Sequence, residues 1–504
     1  MRNNKWVALA AVLLAVLAVG MDVTILSVAL PTLATALHAS ETTLQWFSSA
    51  YTLALVAMML PAGFLGDRYG RKLVMIVALL LFGFGSALCA FAPSAAIFTF
   101  ARVILGVAGA AVAIMALSSM LVLFAQDERP KAVGAWAAFN FIALPVGPVL
   151  GGWLLSHAWW GWVFLINVPV ALIGLGAVLW FVPESRSSTR PSIDLNGTLL
   201  SAAGLVAFTY GLVTAGQAGW SSGAALPWIA AGLALLICFV LWEGRLSRIS
   251  GATPLIDRGL LASPAFTWGI ILLLLLTIPM IGVLFTMPQY FQAILGVDAQ
   301  GSGLRLLALV LGLILGAGLS DRINRKAGMR WTSAIGFSVL AVGLALGSGM
   351  VLSSSYLHIG LWMALAGIGM GIALASIVSG ALGNVSAEQG GVASGLMQTL
   401  KNLGAPLGAA VLGSILSSAY KAYMDARHLP AAIAPVAKQS VFAGLAVAKG
   451  LHSPALAHYV ENAFVHGTDL SLAWAAAISV AGAAMAVVFL RTKPERKADD
   501  ATAA

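Results

Sequence analysis

Apolar residues in this chain come in blocks of twenty or more, broken by short polar segments, and lack the alternating or one-faced spacing of a water-soluble fold. Runs near 7–30, 43–65, 73–92, 95–122, 132–155, 160–182, 196–216, 225–243, 266–292, 303–320, 331–351, 356–381, 392–418 and 468–490 are each long enough to cross about 30 Å of hydrocarbon at about 1.5 Å per residue. The pattern predicts fourteen membrane-spanning helices, the run at 303–320 being the weakest because Arg305 sits at its edge. Two of the polar segments match. Leu65-Gly-Asp67-Arg68-Tyr-Gly70-Arg71-Lys72 returns as Leu319-Ser-Asp321-Arg322-Ile-Asn-Arg325-Lys326, each copy following one long apolar run and preceding another. Such a repeat makes the chain two related bundles. With the octets as loops after helices 2 and 10, the plan is six plus two plus six. Residues 1–182 form the first six-helix bundle, 183–263 a linker with two inserted spans, 264–491 the second bundle, and 492–504 a tail.

Composition agrees with an all-α membrane protein. Charged residues make up 9% and apolar ones 60%, whereas soluble domains carry about 25% charged residues. The formal charge of +9 points to no nucleic acid, because the basic residues sort by side. With the N-terminus inside, inner segments hold Arg2, Lys5, Arg68, Arg71, Lys72, Arg129, Lys131, Arg186, Arg190, Arg245, Arg248, Arg258, Arg322, Arg325, Lys326, Arg330, Arg491, Lys493, Arg496 and Lys497, and the short outer loops almost none. Both termini are therefore expected in the cytoplasm. All seven histidines fall outside, which leaves none as a proton relay within the membrane. The first apolar run continues into further spans, so it is expected as an uncleaved helix. Cys89 and Cys238 read as small core residues, without a disulfide framework or metal spacing. The outer segment 419–467, interrupted by Pro430, Pro435 and Pro454, is expected to hold a short helical hairpin over 436–449 and 454–465 that caps the outer mouth.

Asp22 interrupts the oily first span, in Gly20-Met-Asp22-Val-Thr24. A charge at that depth costs several kcal/mol, so intramembrane acids face the protein interior, carry a partner and mark an ion path. Arg102 lies eight residues into helix 4, and both side chains then sit roughly 12 Å below the outer ends of their helices. An arginine there favours the ionised carboxylate, and its approach or retreat changes how firmly the acid holds a proton. In helix 5, Pro145, Gly147, Pro148, Gly151 and Gly152 combine a close-approach pair with two residues that remove helix hydrogen bonds, which predicts a bend against a neighbour. Gly63, Asp67, Arg68, Gly70, Arg71 and Lys72, with Asp321 and Arg322, are expected to latch the inner side, Asp67 doing so by complementing the positive end of helix 3.

The chain resembles the major facilitator superfamily, and within it the fourteen-helix drug:proton antiporters that include exporters of quaternary ammonium compounds and methyl viologen. The segment 63–72 is similar to that superfamily's loop motif between helices 2 and 3, Arg102-Val-Ile-Leu-Gly106-Val-Ala-Gly109 to its helix-4 motif, Gly147-Pro148-Val-Leu-Gly151-Gly152 to the antiporter motif, and Met21-Asp22-Val-Thr24-Ile to the helix-1 motif. Trp162-Val-Phe164-Leu-Ile-Asn167-Val-Pro169 and Gln289-Tyr-Phe-Gln292 resemble further family blocks. The resemblance implies a proton-driven exporter in the cytoplasmic membrane of a bacterium, with Asp22 as the protonation site and Arg102 as its coupling partner. Where the quaternary-ammonium branch carries further membrane acids, this chain has Ser49, Leu313 and Met397-Gln398.

A single acid limits the charge that can be expelled. Exchange of one proton for a monocation is electroneutral and is driven by about 1.4 kcal/mol per pH unit, whereas a dication against one proton moves charge uphill by about 2.3 kcal/mol per 100 mV. Monocations, zwitterions and neutral amphiphiles are therefore the expected cargo, held by some of Phe139, Asn140, Phe141, Tyr290, Gln292, Trp362, Gln398 and Asn402. No nucleotide-binding glycine loop, metal cluster, nucleophile–base set, selectivity ring or signalling domain is visible, so neither an enzyme nor a channel nor a sensor is expected, and no cofactor. Protons, the cargo and membrane lipid are the expected partners, and a monomer is compatible with all of this.

Overall fold

The computed structural model describes residues 5–39, 41–125, 128–186, 194–220, 222–248, 258–383, 385–386, 389–425, 430 and 433–490. The 492–504 tail, most of the linker between 187 and 257 that lies outside its two helices, and part of the 419–467 segment fall outside the described residues. Among the described residues twelve stretches are long and apolar enough to cross a membrane. The membrane helices are α1 (Lys5–Ala36), α2 (Glu41–Tyr69), α3 (Arg71–Ala90), α4 (Ala95–Leu123), α5 (Arg129–His157), α6 (Trp162–Phe181), α7 (Leu195–Ala218), α8 (Leu226–Leu246) and α9 (Pro264–Ala293). Next comes Leu307–Gly347, broken at Gly328 into α10 and α11, then α12 (Tyr356–Gly383), α13 (Gly390–Asp425) and α14 (Pro454–Phe489).

The break at Gly328 is a reversal. A straight helix over 300–347 would be about 70 Å long, more than twice the hydrocarbon thickness. Gly312 and Gly316 lie against the carbonyls of Ala364 and Ile368, so α10 runs in the same direction as α12. Gly336 and Gly343 lie against Ala373 and Ala366, in the opposite order, so α11 runs back. Gly328 has φ 72°, and Gly70, which turns α2 directly into α3, has φ 115°. A glycine turn thus lies within the first octet and two residues beyond the second, each at a φ that glycine adopts without strain. With that reversal and the 29-residue α5, the described residues hold fourteen helices long enough to cross a membrane.

Polar side chains cap several of the helices. Ser94 accepts from Ile97 N at 3.4 Å, and Asp194 from Gly197 N at 3.0 Å, each satisfying an N–H that hydrocarbon could not. Within the first half α1 packs on α5 and α6, α2 on α4, and α3 on α4 and α6; within the second, α9 packs on α13 and α14, and the α10–α11 pair on α12 and α14. The halves meet where α13 lies against α2 and α4 and where α5 lies against α10 and α12. The inserted α7 and α8 pair with each other, and α7 rests on both α2 and α13. Outward-facing Phe100, Trp180, Leu311 and Leu357 are more than half exposed, a belt that water would not tolerate and lipid favours.

Two expectations change. α1 continues to Ala36 and α14 begins at Pro454, so the predicted hairpin keeps only its first part, as the short helices Ala434–Ala437 and Val441–Gly450. Residues 454–465 are the opening turns of α14, because Ser453 accepts from Leu456 N at 3.3 Å and Pro454 is fitted to a first helical turn. The Tyr420 hydroxyl donates to the carbonyls of Ala437 and Ser440 at 2.8 and 3.2 Å, tying this cap to α13. Cys89 is buried as expected, but Cys238 is exposed on α8, where Ile237, Val240 and Leu241 are exposed too.

Candidate functional site

Asp22 is fully buried on α1, and it meets Arg102 of α4 with Nη1 to Oδ2 at 2.6 Å. The other carboxylate oxygen accepts from Asn167 Nδ2 at 3.2 Å. Arg102 donates its Nε to the Phe47 carbonyl at 2.9 Å and lies over the Tyr51 ring, 4.5 Å from its centre. Four helices, α1, α2, α4 and α6, therefore enclose one ion pair. In so low a dielectric the pair holds because each charge has both a counter-charge and further hydrogen bonds; removing either partner strands the other. Phe47 packs tilted against Phe98, ring centres 4.4 Å apart, and Phe98 meets Phe164 edge to face at 5.2 Å, an aromatic layer beside the pair. Asn167 stands in a segment whose family resemblance was visible, but its contact with Asp22 was not. Phe47 and Tyr51 lie in an ordinary apolar run and gave no signal.

Glycines bring these helices close. A Cβ on Gly106 would strike the Tyr51 carbonyl, and one on Gly109 the Tyr51 hydroxyl, so the Arg102-x-x-x-Gly106-x-x-Gly109 pattern lets α2 place Tyr51 under the guanidinium. Gly147 and Gly151 lie against Thr24 and Ile25 of α1, whereas a Cβ on Gly152 would meet nothing within 4 Å. The side chains of Phe141 and Pro145 lie outside the described residues. α5 is continuous through Pro145 and Pro148 from Arg129 to His157. Gly147→Val is expected to push α1 from α5 one turn from Asp22, costing about 1–3 kcal/mol by overpacking. Thermal unfolding of the detergent-solubilised protein will show the loss, and exchange in vesicles should fall at least about tenfold if spacing at Asp22 matters; Gly152→Ala should change neither.

At the end of the bundle that carries both octets, Asp67 corrects the expectation. It caps α13 of the other half, its Oδ1 accepting from Gly391 N and its Oδ2 from Val392 N, both at 2.9 Å. Arg71 Nη2 completes the cluster at 2.7 Å from Oδ1. Asp67 is in the last turn of α2, and the backbone N–H groups it accepts from belong to α13. The start of α3 is served by Glu184, which accepts from Lys72 N and Leu73 N at 3.2 and 3.3 Å and sits beside Gly70. Lys72 Nζ donates to the Leu179 carbonyl at 2.7 Å, and Arg68 lies 5.5 Å from the Tyr69 ring centre. Gly63 permits the cross-half contact, since a Cβ there would strike the Gly391 carbonyl. In the second octet Asp321 pairs with Arg325 at 2.9 Å and Arg322 is exposed; both line a cleft of about 400 Å³ between α5 and α10. Arg129 adds another bridge, donating to Leu121 O of α4 and Leu382 O of α12, both at 3.1 Å.

The cargo residues separate. Tyr290 and Trp362 are fully buried within the second half, Tyr290 beside Phe291 and Trp362 against Gly347, and as placed they offer a cargo no surface. Gln398 is buried on α13 at its seam with the first half, and Asn402 Nδ2 lies 3.2 Å from Met59 Sδ of α2. Asn140 donates to the Trp136 carbonyl at 2.8 Å, and Phe139 and Gln292 are half-buried.

The Major Facilitator Superfamily model matches residues 12–409. The tetracenomycin C resistance and export protein of Streptomyces glaucescens is 30% identical over 99% of this chain and 94% of its own. The multidrug efflux pump LfrA of Mycolicibacterium smegmatis is 32% identical, over 97% of each chain. Among solved structures, a human organic anion transporter superposes with a TM-score of 0.63 at 15% identity, over 96% of this chain and 99% of that one, a likeness of fold.

Proposed function

This chain belongs to the Major Facilitator Superfamily, and from that premise we propose that it is a proton-coupled multidrug efflux antiporter expelling lipophilic compounds of low net charge across the bacterial cytoplasmic membrane. Its relatives include a multidrug efflux pump and an antibiotic resistance and export protein, each aligned over nearly the whole chain. The observation that carries the reading is the Asp22–Arg102 pair, a titratable acid fully enclosed on the first span and held by one cation on another helix.

In this reading residues 1–182 and 264–491 are the two bodies that rock, with 183–263 as their link. The distribution of the basic segments supports a cytoplasmic position for both termini and the octets. When the bodies close on the octet side, Asp67 holds α13, and a shift of α4 against α1 that draws Arg102 away leaves the Asp22 carboxylate uncompensated in low dielectric, so that it takes a proton from the outer side. When they open on the octet side, the return of Arg102 and the arrival of cargo favour the ionised acid, which releases that proton to the cytoplasm, so its charge state follows the side of access and protons run inward. No bond of the cargo is made or broken; the protein is a carrier, and its work is alternating access. A dedicated exporter of one natural product is the second reading, favoured by the relative named for a single antibiotic.

The test is reconstitution in vesicles with a pH-sensitive dye, recording protons released as mono- and dications, neutral amphiphiles and anions are added. Release by several unrelated low-charge compounds is expected. Release by one compound alone would select the second reading, release by none would defeat proton-coupled export, and dications as effective as monocations would defeat the limit set by a single acid.

A further inference from the structure

Lys401 is a second membrane charge that the proton mechanism does not use. It stands on α13, eleven residues from the Gly390 start, hence roughly 16 Å into the membrane. Its ammonium lies 4.9 Å from the ring centre of Trp136, which is on α5 and therefore in the other half. Among the described residues no carboxylate forms an ion pair with it. Trp136 adds an independent observation: the residue is 1% exposed, and its indole N–H has no hydrogen-bond partner. Gln398, one turn before Lys401, is buried as well.

An ammonium and an unpaired indole N–H thus share one seam between the halves, and among the described residues no anion answers them. Each is expensive in a membrane core. An isolated lysine at this depth keeps its place only by pairing or by facing a water-filled path, and a buried donor without an acceptor carries a desolvation penalty. The ring face offsets part of the first cost. Nothing in the seam offsets the second. Because α5 and α13 belong to bodies that part during transport, both donors become accessible when the seam opens.

We infer that Lys401 and the Trp136 N–H form the cargo site's anion subsite, and that the preferred cargo is an aromatic amphiphile carrying an ionised oxygen, a carboxylate or a phenolate, alone or within a zwitterion. The inference rests on the export reading and narrows it. The indole face gives the cargo ring a stacking partner, and the two donors hold its oxygen. A permanent monocation without such an oxygen meets Lys401 as a like charge. Expelling an anion against an inward proton moves charge inward on both counts, so the membrane potential assists this cargo.

Rhodamine B, with a free carboxylate, and its ethyl ester, a monocation, share one ring system and separate these cases. Their binding to the full chain in detergent is followed by fluorescence anisotropy, and their pH-driven movement is measured in vesicles. The free acid is expected to bind about tenfold or more tightly than the ester, the scale of one charge-assisted hydrogen bond. Lys401→Gln should erase that ratio, and Lys401→Glu should invert it. Trp136→Phe keeps the ring and should weaken only the acid, by several fold. Equal binding of both dyes to the unaltered protein, or a ratio unchanged in Lys401→Gln and Trp136→Phe, overturns the subsite. Carboxylate-dependent binding without pH-driven movement would support the subsite and count against export; pH-driven movement of the ester with no binding of the acid would do the reverse.

Discussion

Asp22→Asn is expected to end pH-driven efflux, lowering the initial rate in acid-loaded vesicles at least a hundredfold. The substitution keeps the side chain's size and an oxygen for Arg102, so the geometry at 2.6 Å survives. The titratable site is lost. Without it the two bodies gain nothing from a difference in proton concentration, and a gradient of several pH units, about 1.4 kcal/mol each, does no work. Some stability goes too, since Arg102 is left buried without its counter-charge, a change of about 3 kcal/mol when a buried pair is broken. The Phe47 carbonyl and the Tyr51 ring still hold the guanidinium and limit the loss. Expression and elution of the variant as a single species establish that it folds. Efflux that still follows the pH gradient in such a protein would show that Asp22 is a structural acid and that another group carries the proton.

Asp67→Ala is expected to act on conformation, not on coupling. It removes the carboxylate that joins α2 to the first turn of α13, and leaves Arg71, Gly391 N and Val392 N without their common acceptor. Asp67 is 2% exposed and Arg71 1%, so water does not replace the lost contacts unless the halves part. Breaking such a buried, hydrogen-bonded charge pair costs about 3 kcal/mol or more, which shifts a two-state balance by roughly a hundredfold. The octet end should therefore stand open. Spin labels at Tyr69 and Ser386, both exposed, should report a longer distance in the variant, and exchange should slow because the closed state is reached rarely. Asp321→Ala is the comparison. Its partner Arg325 is largely exposed, so the same change in the second octet should alter the distance little. Equal effects of the two variants would mean that the cross-half cap at α13 is not the latch.

The helices were legible because their cause is one-dimensional. A span must be apolar for about twenty residues wherever it lies in the bundle, so every crossing announces itself, even α10, whose edge holds Arg305. Asp22 and Arg102 were legible for the converse reason: a charge inside such a run has no cheap explanation, and equal depth along two antiparallel helices suffices to pair them. Helix ends were less so. Apolarity marks where lipid begins and says nothing of a helix that continues into water, so α14 starts at Pro454, fourteen residues before the predicted 468.

Lys401, Tyr51 and the receiver of Asp67 were hidden for another reason. Lys401 shares its apolar run with Gln398 and Asn402, and its meaning arises only when Trp136 from the other half is laid beside it. Asp67 sits next to the start of α3 in the chain, which made that helix the natural partner, but Glu184 occupies the place and Asp67 turns to Gly391 instead. The sequence alone determined the crossings, the twofold plan and the buried acid with its arginine, because burial of polar atoms in hydrocarbon is so costly that composition records it. Only the tertiary structure decided which helix each charge answers across the seam, because such contacts join residues distant in the chain, and close approach through glycine leaves no periodic trace.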